Sequence, residues 1–515
     1  MISAGAPSVH PAGKDAPAAP TAPARLALDT LAEAGARPGV SGPAVDPRSL
    51  ETGIVHLGVG AFHRAHQAVY TEDAAAATGE SGWGIMGVTG RSRRVVDQLR
   101  PQDGLYSVLT RSEGSQSLRI IGSMRAVASP AEDAGTVLAA LARPATEIVS
   151  LTITEKGYPR TSTGELDLAN AGIAADVAAL RAELASQHDA GPSRTVIGLL
   201  ARGLGRRFSA SGQPLTVLPC DNLAANGKLT RKLVSSFAAA AGASALQSWL
   251  EDSVAFPSTM VDRIVPATTE ADRALAGRLL GVDDRGLVVA EPFGQWVIED
   301  SFASCRPAWE RAGATLTSDV EPYEVAKLRM LNATHSLLAY LGALRGFATI
   351  AEAVADPELA QYARLLQSQD VRPTLRTPPG MDLADYGESI LTRFANPALG
   401  HTTVQVAMDG SQKLPIRVLG TVADRLRSGA IPDMAALVVA AWIVFVYRGH
   451  DVHGRPLPLD DPAADTLHRA AVGSERTLTD RMLALSGIFP DEIAQNTGFR
   501  NAVAGHVDML LMQVP

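Results

Sequence analysis

Ile54 to His66 reads IVHLGVGAFHRAH. A short apolar run ends in Gly58 and Gly60, and a stretch able to form a helix follows. A G-x-G turn between strand and helix lets backbone approach a pyrophosphate, which the helix amino terminus then stabilises. The third glycine of that fingerprint is missing, because His63 stands in its place. The turn by itself therefore leaves dinucleotide binding level with a plain tight turn. His56, His63 and His66 raise the question of a metal, but no nearby Cys or Glu completes a usual zinc set, so none is expected.

Outward from this stretch, apolar runs alternate with amphipathic ones: WGIMGV, RRVVDQL, EIVSLTIT, DVAALRAELA and LTVLPC. Strand and helix in alternation signal a mainly parallel sheet with crossover helices. After about residue 300, helix-period segments dominate, among them LAQYARLLQ, YGESILTRF and TVADRLRSG. The expected class is α/β: residues 46–305 form an α/β domain and residues 306–515 a largely helical one. Residues 1–45, rich in Ala, Pro and Gly, read as a disordered extension.

A chain of 515 residues suits two or more domains. A formal net charge of -8 argues against nucleic acid and anionic membranes as partners. Cys220 and Cys305 are the only cysteines, which excludes a disulfide framework and fits a reducing cytoplasm. No secretory signal opens the sequence. Met434 to Tyr447, MAALVVAAWIVFVY, falls short of the roughly 18 residues of a membrane span and reads as a buried helix.

Lys327 to Gly342, KLRMLNATHSLLAYLG, has apolar residues at helical intervals, yet it also carries Lys327, Asn332 and His335. At about 100° per residue these three fall within an arc of roughly 140°. Glu324, three positions earlier, neighbours the lysine. A desolvated lysine acts as a base, an amide holds an alkoxide and an imidazole orients a hydroxyl. The competing reading, a solvated polar edge on a core helix, is the more ordinary one from these residues alone. In VLPCDNLAANG, Asn222 follows a strand end, where either a turn or a ligand contact is expected. In FPSTMVDRIVPATT, Asp262 and Arg263 lie within apolar sequence, as an ion pair or as substrate contacts.

In order, IVHLGVGAFHRAHQAVY, LTITEKGY, CDNLAANG, FPSTMVDRIVPATT, EPFGQWVIED, KLRMLNATHS and AMDGSQKLP resemble the mannitol dehydrogenase family of polyol-specific long-chain dehydrogenases and reductases. The resemblance runs from about Ile54 to the carboxyl terminus. It implies a Rossmann-type dinucleotide-binding domain joined to a helical domain, with the active site between them. It also implies a metal-independent mechanism in which Lys327 is the general acid/base, with Asn332 and His335 beside it. Asn222 would share the oxyanion, Glu324 would exchange protons, and Asp262 and Lys413 would line the substrate pocket. Gly58, Gly60 and Phe62, with Arg91, are the candidate cofactor contacts. Arg91, Arg93 and Arg94 stand where an acidic residue would favour NAD, so NADP as well as NAD is expected, unless they form a solvated helix start.

Two departures direct the substrate. Gln405 stands where the mannitol-oxidising branch carries arginine, and Lys156 where it carries glycine. Both look closer to fructuronate reductases (D-mannonate oxidoreductases). Lys156 is expected to add positive potential for a carboxylate, or else to pair with Glu155. The implied protein is a cytoplasmic oxidoreductase, a monomer or small homo-oligomer, acting on a small sugar acid or polyol. Mannitol 2-dehydrogenase is the alternative, with mannitol-1-phosphate 5-dehydrogenase behind it, and a non-catalytic dinucleotide sensor is the reading from another class.

Overall fold

The computed structural model describes residues 24–513 except Arg91, Glu113, Ser162 and 187–189. Its centre is a six-stranded parallel sheet of β1 (Thr52–Leu57), β2 (Gly84–Val88), β3 (Met124–Ala128), β4 (Ile148–Leu151), β5 (Leu215–Pro219) and β6 (Val254–Ala255). The strands lie in the order β3-β2-β1-β4-β5-β6, so β1 and β4 leave in opposite directions from the middle of the sheet. That divergence opens a crevice at the strand carboxyl ends, where ligands bind in doubly wound folds. Alternate residues of β1 enter different cores. Val55 and Leu57 pack with Val149, Leu151 and Val217, whereas Ile54 packs with Ile85 and Ile148 on the other face.

After β1 the chain turns through glycines into α1 (Ala61–Ala65) and α2 (Gln67–Thr78). Beyond β5 lies α3 (Asn226–Ala240). A three-stranded sheet, β7 (Thr259–Asp262), β8 (Gln295–Glu299) and β9 (Thr315–Thr317), follows in that order, with β7 an edge. Because β9 pairs with β8, the strand-bearing half extends past residue 305. The helical half opens with α4 (Glu321–Ala326), a π-helical segment Lys327–Asn332 and α5 (Ala333–Leu344). It continues through α6 (Leu383–Phe394), α7 (Asp433–Arg448) and α8 (Thr497–Gln513). In α7 every residue from Met434 to Val446 is buried, so the most apolar run is the axis of this half. Burial of each large aliphatic or aromatic side chain there contributes about 1.5–3 kcal/mol. No helix among the described residues is long and apolar enough to cross a membrane.

Residues 24–45 do not form a disordered extension. Leu26 and Ala34 are wholly buried against Leu105, Leu118 and Leu280, and Val40–Ser41 pairs in parallel with Leu118 and Arg119. Sparse apolar residues in an Ala- and Pro-rich stretch carry little periodicity, and their burial comes from partners far along the chain. Residues 1–23 lie outside the described residues.

Candidate active site

Between the two halves lies a cleft of about 180 Å³, lined among others by Glu155, Arg160, Asn222, Val261, Glu324, Lys327 and Ile416. Lys327 is 8% exposed. Its Nζ donates to Asn222 Oδ1 at 2.8 Å and to the Val261 carbonyl at 2.7 Å. Val261 lies on edge strand β7, where a carbonyl not used by the ladder remains available. Burial lowers the Lys327 pKa; Asp262 opposes that, and Arg393 and Arg417 add to it.

The Asn222 amide reaches the lysine because its loop is fixed. Asp221 accepts from the Ile153 backbone N–H and the Tyr158 hydroxyl, and burial pushes its carboxyl up to about 7. Asn226, buried, donates to the carbonyls of Asp221 at 3.1 Å and Thr259 at 2.9 Å. Between them Ala225 is left-handed at φ 47°, a conformation costly for a residue with a Cβ. Its N–H donates to both carboxylate oxygens of Glu324 at 3.2 Å. Glu324 thereby ties the loop to the lysine helix, and burial raises its pKa.

The lysine segment is π-helical rather than α-helical. Its wider turn narrows the angle between Lys327 and Asn332 relative to an α-helical arc. Asn332 is 7% exposed and makes no side-chain hydrogen bond among the described residues. His335 stacks on Phe394 at 4.5 Å between ring centroids, and its Nε2 is buried without a partner. Burial, with Arg417 next, holds its pKa well below the usual imidazole value.

Asp262 is committed to an ion pair, and its partner is Arg393 of α6 rather than the adjacent Arg263. Arg393 donates to Asp262 Oδ2 at 2.7 Å and Oδ1 at 3.0 Å, and to Glu291 Oε1 at 2.7 Å and Oε2 at 3.0 Å. Lys413 is partly buried, and its pKa falls to about 8, chiefly through burial and then through Arg417. Two candidates stand apart from this cluster. Lys156 is exposed on the turn Glu155–Gly157 and makes no ion pair among the described residues; Glu155 pairs with Arg160 instead. Gln405 is exposed on the helix Thr403–Ala407, with its N–H capped by Thr402 Oγ1 at 3.2 Å. Arg160, Glu291, Arg393 and Arg417 escaped the sequence reading. Only for Arg417 was there a signal, its place four residues after Lys413.

On the β1 side, Gly58 has φ 95°, and a Cβ there would lie 2.3 Å from the Thr152 carbonyl. At Gly60, which caps α1, an added Cβ would meet only the Gly58 carbonyl at 3.7 Å. The turn is thus tight below and open above, as a cradle for a pyrophosphate must be. His63 fills the missing glycine's role differently: its ring stacks on His56 of β1 at 3.4 Å and 12°, making the helix–strand contact through side chains. His56 meets Ser150 Oγ and Thr152 Oγ1, each at 2.8 Å, and His66 Nε2 meets the Gln295 carbonyl at 2.9 Å. Burial pushes the pKa of both His56 and His66 down to about 3. No group of three or more His, Cys, Asp or Glu among the described residues is placed to hold a metal ion. Phe62 stacks on His66 at 5.0 Å. Arg91 lies outside the described residues, and Arg93 is engaged by Asp97 and Glu132 as a solvated helix start.

Residues 52–311 match the family model described as mannitol dehydrogenase Rossmann domain, and residues 319–511 the mannitol dehydrogenase C-terminal domain. The chain is 43% identical to the uncharacterized oxidoreductase YdfI of Escherichia coli, over 89% of this chain and 92% of that one. It is 41% identical to the D-mannonate oxidoreductase of Escherichia coli, over 92% and 96%. Among solved structures, the Pseudomonas fluorescens mannitol 2-dehydrogenase ternary complex with NAD and D-mannitol superposes with a TM-score of 0.82 at 36% identity, covering 95% of this chain and 98% of that one.

Proposed function

The chain belongs to the mannitol dehydrogenase family, and on that premise we propose that it interconverts D-fructuronate and D-mannonate by hydride transfer at a secondary carbinol. The observation that carries the chemistry is Lys327 Nζ held between Asn222 Oδ1 and the Val261 carbonyl in a desolvated cleft. The Gly58–Gly60 turn, with Phe62 beside it, would hold a nicotinamide dinucleotide, which would supply or accept the hydride.

Desolvation favours the neutral amine of Lys327, so it takes the hydroxyl proton during oxidation and returns it during reduction. Asn222 accepts from the lysine through Oδ1, which leaves its Nδ2–H free to donate to the developing alkoxide together with Asn332. The unpartnered His335 Nε2 orients a neighbouring substrate hydroxyl. Glu324, lining the cleft three residues from Lys327, relays the proton toward solvent. Asp262 acts on the lysine electrostatically while Arg393 holds it. No step calls for a metal.

The substrate assignment draws on the 41% identity to a D-mannonate oxidoreductase and on the absence of the arginine that Gln405 replaces. The close superposition on a mannitol complex supports mannitol 2-dehydrogenase as the second reading. With Arg93 engaged, a contact to an NADP ribose phosphate rests on Arg91 and Arg94. Steady-state kinetics with fructuronate, fructose, mannonate and mannitol, each with the NAD and NADP couples, test the proposal. A kcat/KM for fructuronate above that for fructose is expected; the reverse order moves the assignment to mannitol 2-dehydrogenase.

A further inference from the structure

Cations beside Lys327 differ in whether an anion meets them. Arg393 has two carboxylates. Arg417, on the π-helical segment Pro415–Leu419, donates through Nη1 to the neutral Ser336 Oγ at 3.1 Å, and no carboxylate lies within ion-pair distance of it among the described residues. Lys413 sits four residues earlier, on the same side of the helix. Among the described residues its Nζ reaches only the Val406 carbonyl at 3.4 Å and Asp409 Oδ2 at 3.9 Å. His335, whose Nε2 has no partner, precedes Ser336 on α5. Ile416, adjacent to Arg417, lines the cleft together with Lys327.

An arginine cannot escape burial by losing its proton, so leaving it without a counter-charge is costly until an anion arrives. Its planar fork matches a carboxylate in geometry. We propose that Arg417, with Lys413, forms the seat for the carboxylate of the sugar acid, beside the part of the cleft that Ile416 lines. This rests on the activity proposed above and names the residues that would make it selective. A hexitol leaves Arg417 without an anion and is disfavoured for that reason. Arg417 depresses the pKa of Lys327, His335 and Lys413 alike, in keeping with one shared, poorly solvated pocket.

The test compares kcat/KM for fructuronate and fructose in wild type, Arg417→Gln and Arg417→Lys, with NADH binding followed by fluorescence. Arg417→Gln is expected to lower the uronate value about 100-fold, mainly through KM, because one partner of a buried charge pair is lost. The uronate-to-ketohexose ratio falls with it, and Arg417→Lys restores part of that ratio by keeping the charge. An equal loss on both substrates, with NADH binding intact, overturns the seat and leaves the activity standing. A wild type that prefers fructose overturns the substrate assignment instead. Should Arg417→Gln fail to fold, Lys413→Gln reads the same ratio, and an unchanged ratio there overturns the seat.

Discussion

Arg393 and Arg417 both come from the helical half, and both lower the pKa of the same lysine. Arg393 is gripped by Asp262 and Glu291 across the two halves and lies over the Phe293 ring. Its neighbour Phe394 carries the His335 ring. Everything about Arg393 joins one half to the other, and its charge is neutralised before a substrate arrives. Arg417 has a serine hydroxyl beside it, and no carboxylate within ion-pair distance among the described residues. The difference teaches that position near a catalytic group does not identify a ligand contact. The compensation of the charge does.

The largest effect bears on the lysine that the two arginines share. Lys327→Ala should lower kcat by about 10³-fold, within the usual range for a general acid/base, while NADH affinity in a fluorescence titration stays nearly constant. Added primary amines should return some rate. Wild-type turnover in this variant would make Lys327 structural.

Stability separates the arginines next. Arg393→Met strands two buried carboxylates and should cost about 3–5 kcal/mol in urea unfolding. Arg417→Gln strands no charge and should cost much less. Equal losses would break the comparison.

Two pH profiles sharpen it. Asp262 favours the ammonium form of Lys327, so Asp262→Asn, which also frees the Arg393 charge, should move the rising limb of the oxidation profile to lower pH. A shift upward would contradict the assigned electrostatics. Lys413 is charged below about 8 and neutral above it. The KM for fructuronate should therefore climb as pH passes that value, while the KM for fructose stays level. Parallel climbs would remove Lys413 from the seat.

The smallest effect is at Lys156. An exposed lysine acts through screened potential, so Lys156→Gly should change the uronate-to-fructose ratio by no more than about threefold at physiological salt. A loss matching that of Arg417→Gln would place the carboxylate near the Glu155–Gly157 turn after all.

Much of this arrangement was legible along the chain. Alternating apolar runs announced the parallel sheet, because strand and helix periodicities are local properties. Met434–Val446 declared itself a buried helix by composition. Less local features stayed hidden. His63 looked like a fault in a fingerprint, and only its stack on His56 shows how the helix packs without a glycine. Leu26 and Ala34 gave too weak a pattern to announce the order of residues 24–45. The π-helical turn cannot be told from an α-helical one by apolar spacing, so α-helical spacing made the angle between Lys327 and Asn332 too wide.

By itself the sequence determined the fold class, the family resemblance and the set of polar residues that one helix and two strand ends present. The tertiary structure decided which of those residues are already satisfied. Asp262 read equally as an ion pair or a substrate contact, and its choice of Arg393 spans 131 positions. Lys156, singled out by sequence, is exposed, while Arg417, passed over, is half-buried with no carboxylate within ion-pair distance among the described residues. Burial and charge pairing depend on distances through space between distant parts of the chain, and residue type and local period carry no record of those distances.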